Sequence, residues 1–247
     1  RVGARLRATH GTGIRQGLWL DKVHATGWQA SARAIADAAI GYVATGPVIG
    51  VDDDAGWRGL RTLLADGVRW CADVNIPIIY FTSGRSGRLN PDAAADAWCR
   101  QIEPLASLAD TLGVHLALEN SLSLRAEISF VHSVREAAEL ASRAGIGLCV
   151  DLFSAWQEHH LRETLTEHLA AIRLLQYSDY RVGTLFQPAR CVPGDGDIPL
   201  QWQVDLVRQL GYTGVVDLEL MGPDIEAEGA EAAVDRGLRW LTAQNWG

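Results

Sequence analysis

This sequence predicts an α/β fold: a parallel sheet wrapped by helices, closing as a (β/α)8 barrel whose first strand is missing or atypical. Three observations carry that expectation. Short apolar runs alternate with helix-spaced segments along the chain. The apolar runs are nearly continuous, as in strands buried on both faces. No linker or shift of composition divides residues 1–247, whose length suits a single barrel domain. Eight strand–helix units close a barrel, while five to seven could form an open doubly wound sheet. No Gly-rich phosphate loop follows any strand, which weakens the dinucleotide-binding version of the open sheet.

In chain order the expected strands are GLWL (17–20), IGYVAT (40–45), IPIIYFT (76–82), VHLALEN (114–120), IGLCVDL (146–152), IRLLQYS (172–178) and GVVDLEL (214–220). Between them AADAWCRQIEPLASLADTLG places Trp98, Ile102, Leu105, Leu108 and Leu112 on one helical stripe. VREAAELASRAG, LRETLTEHLA and PLQWQVDLVRQLG read as further helices, and several of these segments end in Gly, as helix C-termini often do. Residues 1–14 read as the tail of a helix leading into GLWL. An expected first strand is therefore missing, through truncation, an unusual opening segment, or closure of the barrel by another chain.

Net charge is −8 and diffuse, which argues against a nucleic-acid partner. Lys22 is the only lysine, so Schiff-base chemistry has one candidate, far from the central strands. Cys71, Cys99, Cys149 and Cys191 are too widely spaced for a zinc knuckle or a disulfide framework, which suggests a reduced, cytoplasmic protein. The N-terminus has no signal-peptide core, and no apolar run reaches the roughly 18 residues of a membrane span.

Function is written in how the strands end. Alternation puts Glu119 on the face of Ala117 and His115, Asp151 on that of Cys149, Gln176 on that of Leu174, and Glu219 on that of Asp217 and Val215. In a parallel barrel all of these ends lie on the rim that carries active sites. Carboxylates gathered there repel unless a cation sits among them, and no lysine is at hand. An all-oxygen set with an amide favours one divalent metal ion, Mn²⁺ or Mg²⁺, over zinc. Any one such residue alone is more often a cap or a surface charge; four in register are not. His115 lies about 13 Å deeper on its strand and reads as a core histidine. His159 and His160, at a helix start, read as solvated.

LALEN, VDL, QYSD, VPGDGDIPL and GVVDLEL together resemble the xylose-isomerase-like TIM barrels, the superfamily of sugar isomerases and epimerases, from about Gly17 to the C-terminus. The resemblance implies Glu119, Asp151 and Glu219 as metal ligands, with Gln176 where most members carry a ligating His. Gln-x-Ser-Asp is a variant found in sequences resembling 3-dehydroshikimate dehydratases. It also implies a substrate-facing Arg190, and Ser154 and Asp179 are expected near the substrate, with Trp156 equally suited to walling the pocket or to the core. Ser154 stands where many members have a His, a departure that puts proton donation from that position in doubt.

These groups suit proton removal next to a carbonyl through an enediolate, and the resemblance to the family's 3-epimerases implies Glu119 and Glu219 as the acid/base pair on opposite faces. The first reading is a metal-dependent isomerase or epimerase of a sugar or polyol-derived ketone. The alternatives are a lyase dehydrating a cyclic hydroxyketone such as 3-dehydroshikimate or a keto-inositol, and a non-catalytic barrel subunit. The partner expected is a small sugar or cyclic polyol ketone, with neither nucleic acid nor membrane, and homo-oligomerisation stays open.

Overall fold

The computed structural model describes residues 15–244. The expected helical tail at 1–14 lies outside them. Seven parallel strands form one sheet in sequence order: β1 Gln16–Trp19, β2 Ile40–Thr45, β3 Ile78–Phe81, β4 His115–Glu119, β5 Gly147–Asp151, β6 Ile172–Tyr177 and β7 Val215–Leu218. All seven fall inside or within a residue of the runs expected from alternation. The first strand lies one residue earlier than GLWL, because Gln16 already pairs and Leu20 already begins a helix. Among the described residues β1 and β7 are the edges of the curled sheet and do not pair with each other.

The helices are α1 Leu20–Thr26, α2 Trp28–Ala34, α3 Asp54–Asp73, α4 Pro91–Leu112, α5 Val134–Ala144, α6 Leu152–Ala155, α7 Leu161–His168, α8 Leu200–Gln209, α9 Pro223–Glu228 and α10 Ala230–Ala243. Their ends follow local chemistry. The Asn90 side chain caps α4 ahead of Pro91, and Ser133 and Glu136 form a capping box on α5. Gly113 and Gly145 end these two helices at φ of 70° and 69°, a left-handed conformation costly for a residue with a Cβ. Trp98, Ile102 and Leu105 of α4 are buried against the sheet, each contributing roughly 1.5–3 kcal/mol by removing apolar surface from water.

The pleat separates two cores. Outward-facing residues such as Val43, Ile79, Leu118, Val150 and Leu175 pack under the helices. Inward-facing Ala44, Tyr80, Ala117, Cys149 and Leu174 pack inside the barrel, with Tyr42 and Val215 against them. Glu119, Asp151, Gln176 and Asp217 follow this inner set two residues on, so the pleat carries their side chains inward at the C-terminal end. His115 corrects the expectation of a core histidine: it is exposed at the start of β4, where the strand enters the sheet from solvent.

Candidate active site

Glu119 ends β4, Asp151 ends β5, and Glu219 follows β7, its amide donating to the carbonyl of Tyr177 at 3.1 Å. One oxygen from each of these three carboxylates lies within 4.8 Å of the others. Asn120, directly after Glu119, locks the two neighbouring strand ends together. Its Oδ1 accepts from the Asp151 amide at 2.9 Å and its Nδ2 donates to the Asp151 carbonyl at 3.1 Å. Sequence reasoning missed this fully buried asparagine, although LALEN displays it.

Arg190 is the cation beside this cluster. It is 8% exposed, and its guanidinium donates to Asp151 from Nη1 to Oδ1 at 3.2 Å and from Nη2 to Oδ2 at 2.9 Å. It also donates to Ser178 Oγ at 2.8 Å, meets Glu219 Oε2 at 2.5 Å, and lies 4.2 Å over the Phe153 ring. Burial raises the Glu119 carboxyl well above the usual range, and Glu219 and Asp151 raise it further against the pull of Arg190. Burial likewise lifts Glu219 to about 7, with Arg190 opposing and Asp151 and Asp217 adding.

The donor set fits a divalent ion. The Glu119 carboxylate accepts no hydrogen bond among the described residues, and Glu219 Oε2, although buried, meets Arg190 without hydrogen-bond geometry. Hard anionic oxygens left open in a buried cluster are what such an ion takes up.

A cavity of about 90 Å³ lies over the cluster. Its lining includes Glu119, Glu219, Arg190, Ser154 and Phe153, and Trp19, Thr45, Tyr80 and Thr82 come from the ends of β1, β2 and β3. Thr82 is 3% exposed, and its Oγ1 has no hydrogen-bond partner. Arg125, from the loop after β4, is a second guanidinium on the wall.

The remaining expected residues divide. Ser154 stays at the site, donating to Asp151 Oδ2 at 2.6 Å. Gln176 points into the barrel with its amide already engaged. Its Nε2 donates to Tyr80 Oη at 3.1 Å and to Asp217 Oδ2 at 3.3 Å, and its Oε1 accepts the Cys149 thiol at 3.2 Å. Asp179 is a correction, and Trp156 takes the core alternative. Asp179 accepts four backbone N–H groups, from Tyr180, Gly194, Gly196 and Ile198, at 2.9 to 3.0 Å. It therefore folds the PGDG loop and has nothing left for a substrate. Trp156 packs against the helix-side core and does not line the cavity.

The model of the xylose isomerase-like TIM barrel family matches residues 17–244. The chain belongs to this family. An inosose isomerase of Halalkalibacterium halodurans is 24% identical over 190 residues, covering 74% of this chain and 66% of that protein. The chain thus spans just under two thirds of that relative's length. Among solved members of the fold, a D-psicose 3-epimerase of Clostridium cellulolyticum H10 superposes with a TM-score of 0.79 at 14% identity, over 99% of this chain and 93% of that one. The IOLI protein with a bound zinc atom gives a TM-score of 0.79 at 17% identity, over 98% and 91%. No helix among the described residues is long and apolar enough to cross a membrane, and the four cysteines are free thiols.

Proposed function

We propose that the chain is a divalent-metal-dependent isomerase or epimerase acting on a keto-polyol or keto-sugar, with the inosose class first. The observation that carries this reading is the convergence of Glu119, Asp151 and Glu219 within 4.8 Å under a cavity. Those three carboxylates would hold the ion. Gln176 would be the fourth donor, with only the weak Cys149 thiol bond to give up from its oxygen. The hard donors argue for Mn²⁺ or Mg²⁺, while the zinc in the IOLI structure makes Zn²⁺ the ion to test against them.

When bound, the ion would polarise the substrate carbonyl. Glu219, a carboxylate lining the cavity, suits a base that takes a carbon-bound proton. Glu119 would return a proton from its own side of the cavity. The unpartnered Thr82 hydroxyl supports a hydroxylated substrate, since a buried donor of this kind is left to bond a ligand.

A dehydration of a carboxylated cyclic hydroxyketone is the second reading. It is favoured by two guanidiniums, Arg125 and Arg190, lining one small cavity. Incubation in D₂O with Mn²⁺ separates the two readings, using inosose, D-psicose and 3-dehydroshikimate in parallel. Deuterium incorporated next to the carbonyl of inosose or psicose, with a new isomer, is the expected result. Loss of water from dehydroshikimate would establish the lyase, and no exchange with any of the three would overturn both.

A further inference from the structure

We propose that Arg190 contends with the divalent ion for Asp151, so that the ion binds only by loosening the guanidinium fork. This rests on the reading of Glu119, Asp151 and Glu219 as the ion's ligands. An ionised carboxylate offers about four lone-pair sites. Asp151 has four protein donors on them. Oδ1 accepts from the Phe153 amide at 3.1 Å and from Arg190 Nη1 at 3.2 Å. Oδ2 accepts from Ser154 Oγ at 2.6 Å and from Arg190 Nη2 at 2.9 Å. Glu119, by contrast, accepts no hydrogen bond among the described residues. An ion that takes all three carboxylates must therefore displace a hydrogen-bond donor from Asp151, and at Glu219 it meets the same guanidinium, whose Nη2 lies 2.5 Å from Oε2 without hydrogen-bond geometry.

The Nη1 contact is the longest of the four and the one with another acceptor waiting. Nη1 also donates to Ser178 Oγ at 2.8 Å, so it can leave Oδ1 without being stranded. The Phe153 amide has no such freedom, because Asp151 caps the start of α6 with that bond. Coulomb repulsion acts in the same direction, since guanidinium and ion are both cations within one buried cluster. The guanidinium need not be expelled. Three carboxylates with one guanidinium leave a net charge of −2, which a divalent ion neutralises. What is contested is a single lone pair, and the arm that yields it belongs to a residue lining the cavity, where a substrate oxygen can accept it. Ion binding would thus ready Arg190 for substrate.

The test is Mn²⁺ binding by titration calorimetry, with unfolding in the presence of chelator as a second readout. The proteins are wild type, Arg190→Met and Ser154→Ala. Arg190→Met should bind Mn²⁺ about ten- to a hundredfold more tightly, the equivalent of a hydrogen bond to a charged group, and should melt lower when ions are chelated. Ser154→Ala removes one donor with no change of charge, and should tighten Mn²⁺ by a few-fold. It decides the matter should Arg190→Met fail to fold. Equal or weaker Mn²⁺ affinity in the folded variants would overturn the proposal and make Arg190 a brace for the ligands. Absence of binding in wild type and both variants, with Zn²⁺ and Mg²⁺ as well, would overturn the metal reading itself and the proposal with it.

Discussion

The two halves of the barrel rim are built on opposite plans. From β4 to β7 the strand ends carry Glu119, Asp151, Gln176 and Glu219, with Arg190 inserted among the carboxylates. From β1 to β3 they carry Trp19, Thr45, Tyr80 and Thr82, with no formal charge. On the charged half Asp151 is saturated by its own network while the Glu119 carboxylate and Glu219 Oε2 accept no hydrogen bond among the described residues, and on the neutral half the Thr82 hydroxyl bonds nothing. A charge brought out of water must be met within the protein or by an ion. A lone hydroxyl costs less to leave open, and so can wait for a ligand. On the proposed reading, proton transfer would fall to the charged half, and the neutral half would add a hydroxyl contact to the substrate.

The largest effect should come from the charged half. Glu219→Gln keeps size and an oxygen but cannot take up a proton, so turnover should fall by roughly 10²- to 10⁴-fold with Mn²⁺ binding retained. Isomer interconversion measured beside Mn²⁺ titration checks this, and near-normal turnover would remove Glu219 from proton transfer. Asp179 sharpens the comparison, because it is a buried carboxylate of the same half with a purely structural task. Asp179→Ala leaves four backbone N–H groups without their acceptor and should cost about 2–4 kcal/mol in urea unfolding. Wild-type stability in that variant would show that the loop is held some other way.

A pH effect of similar or smaller size follows from Glu219. Its folded pKa of about 7 lies above the ordinary 4.5, so the folded state binds the extra proton. With ions chelated, stability should therefore be greatest below about pH 4.5 as far as this group is concerned. It should decline as pH rises toward 7, by at most about 3 kcal/mol. Glu119, shifted in the same direction, adds to the decline. Unfolding curves between pH 5 and 8 should show this slope, and Glu219→Gln should flatten it. The smallest effect belongs to the neutral half. Thr82→Val should raise KM for the preferred polyol about five- to tenfold and leave kcat and Mn²⁺ affinity unchanged. An altered kcat would break the division of labour.

Much of this was legible in the chain. Alternation located all seven strands, and the inward faces of Glu119, Asp151 and Gln176 follow from the pleat alone. Asp179 was misjudged and Trp156 left open for a shared reason: proximity in sequence to a strand end says nothing about which neighbour arrives first. Asp179 is claimed by amides up to 19 residues on, when the PGDG loop folds back over it. The neutral half of the rim went unread because threonine and tyrosine at strand ends are ordinary strand residues.

By itself the sequence determined the alternating fold and the row of oxygen-bearing side chains along one rim, because strand and helix periodicities are local and each strand needs only its own residues to declare its faces. Only the tertiary structure decided what those side chains do. The Gln176 amide meets Tyr80 across 96 residues of chain, and Arg190 reaches back 39 residues to Asp151. Bonds of that span exist only once the sheet has curled and brought distant strand ends to one mouth. There, burial forces each polar group to take whichever partner the curvature has placed beside it.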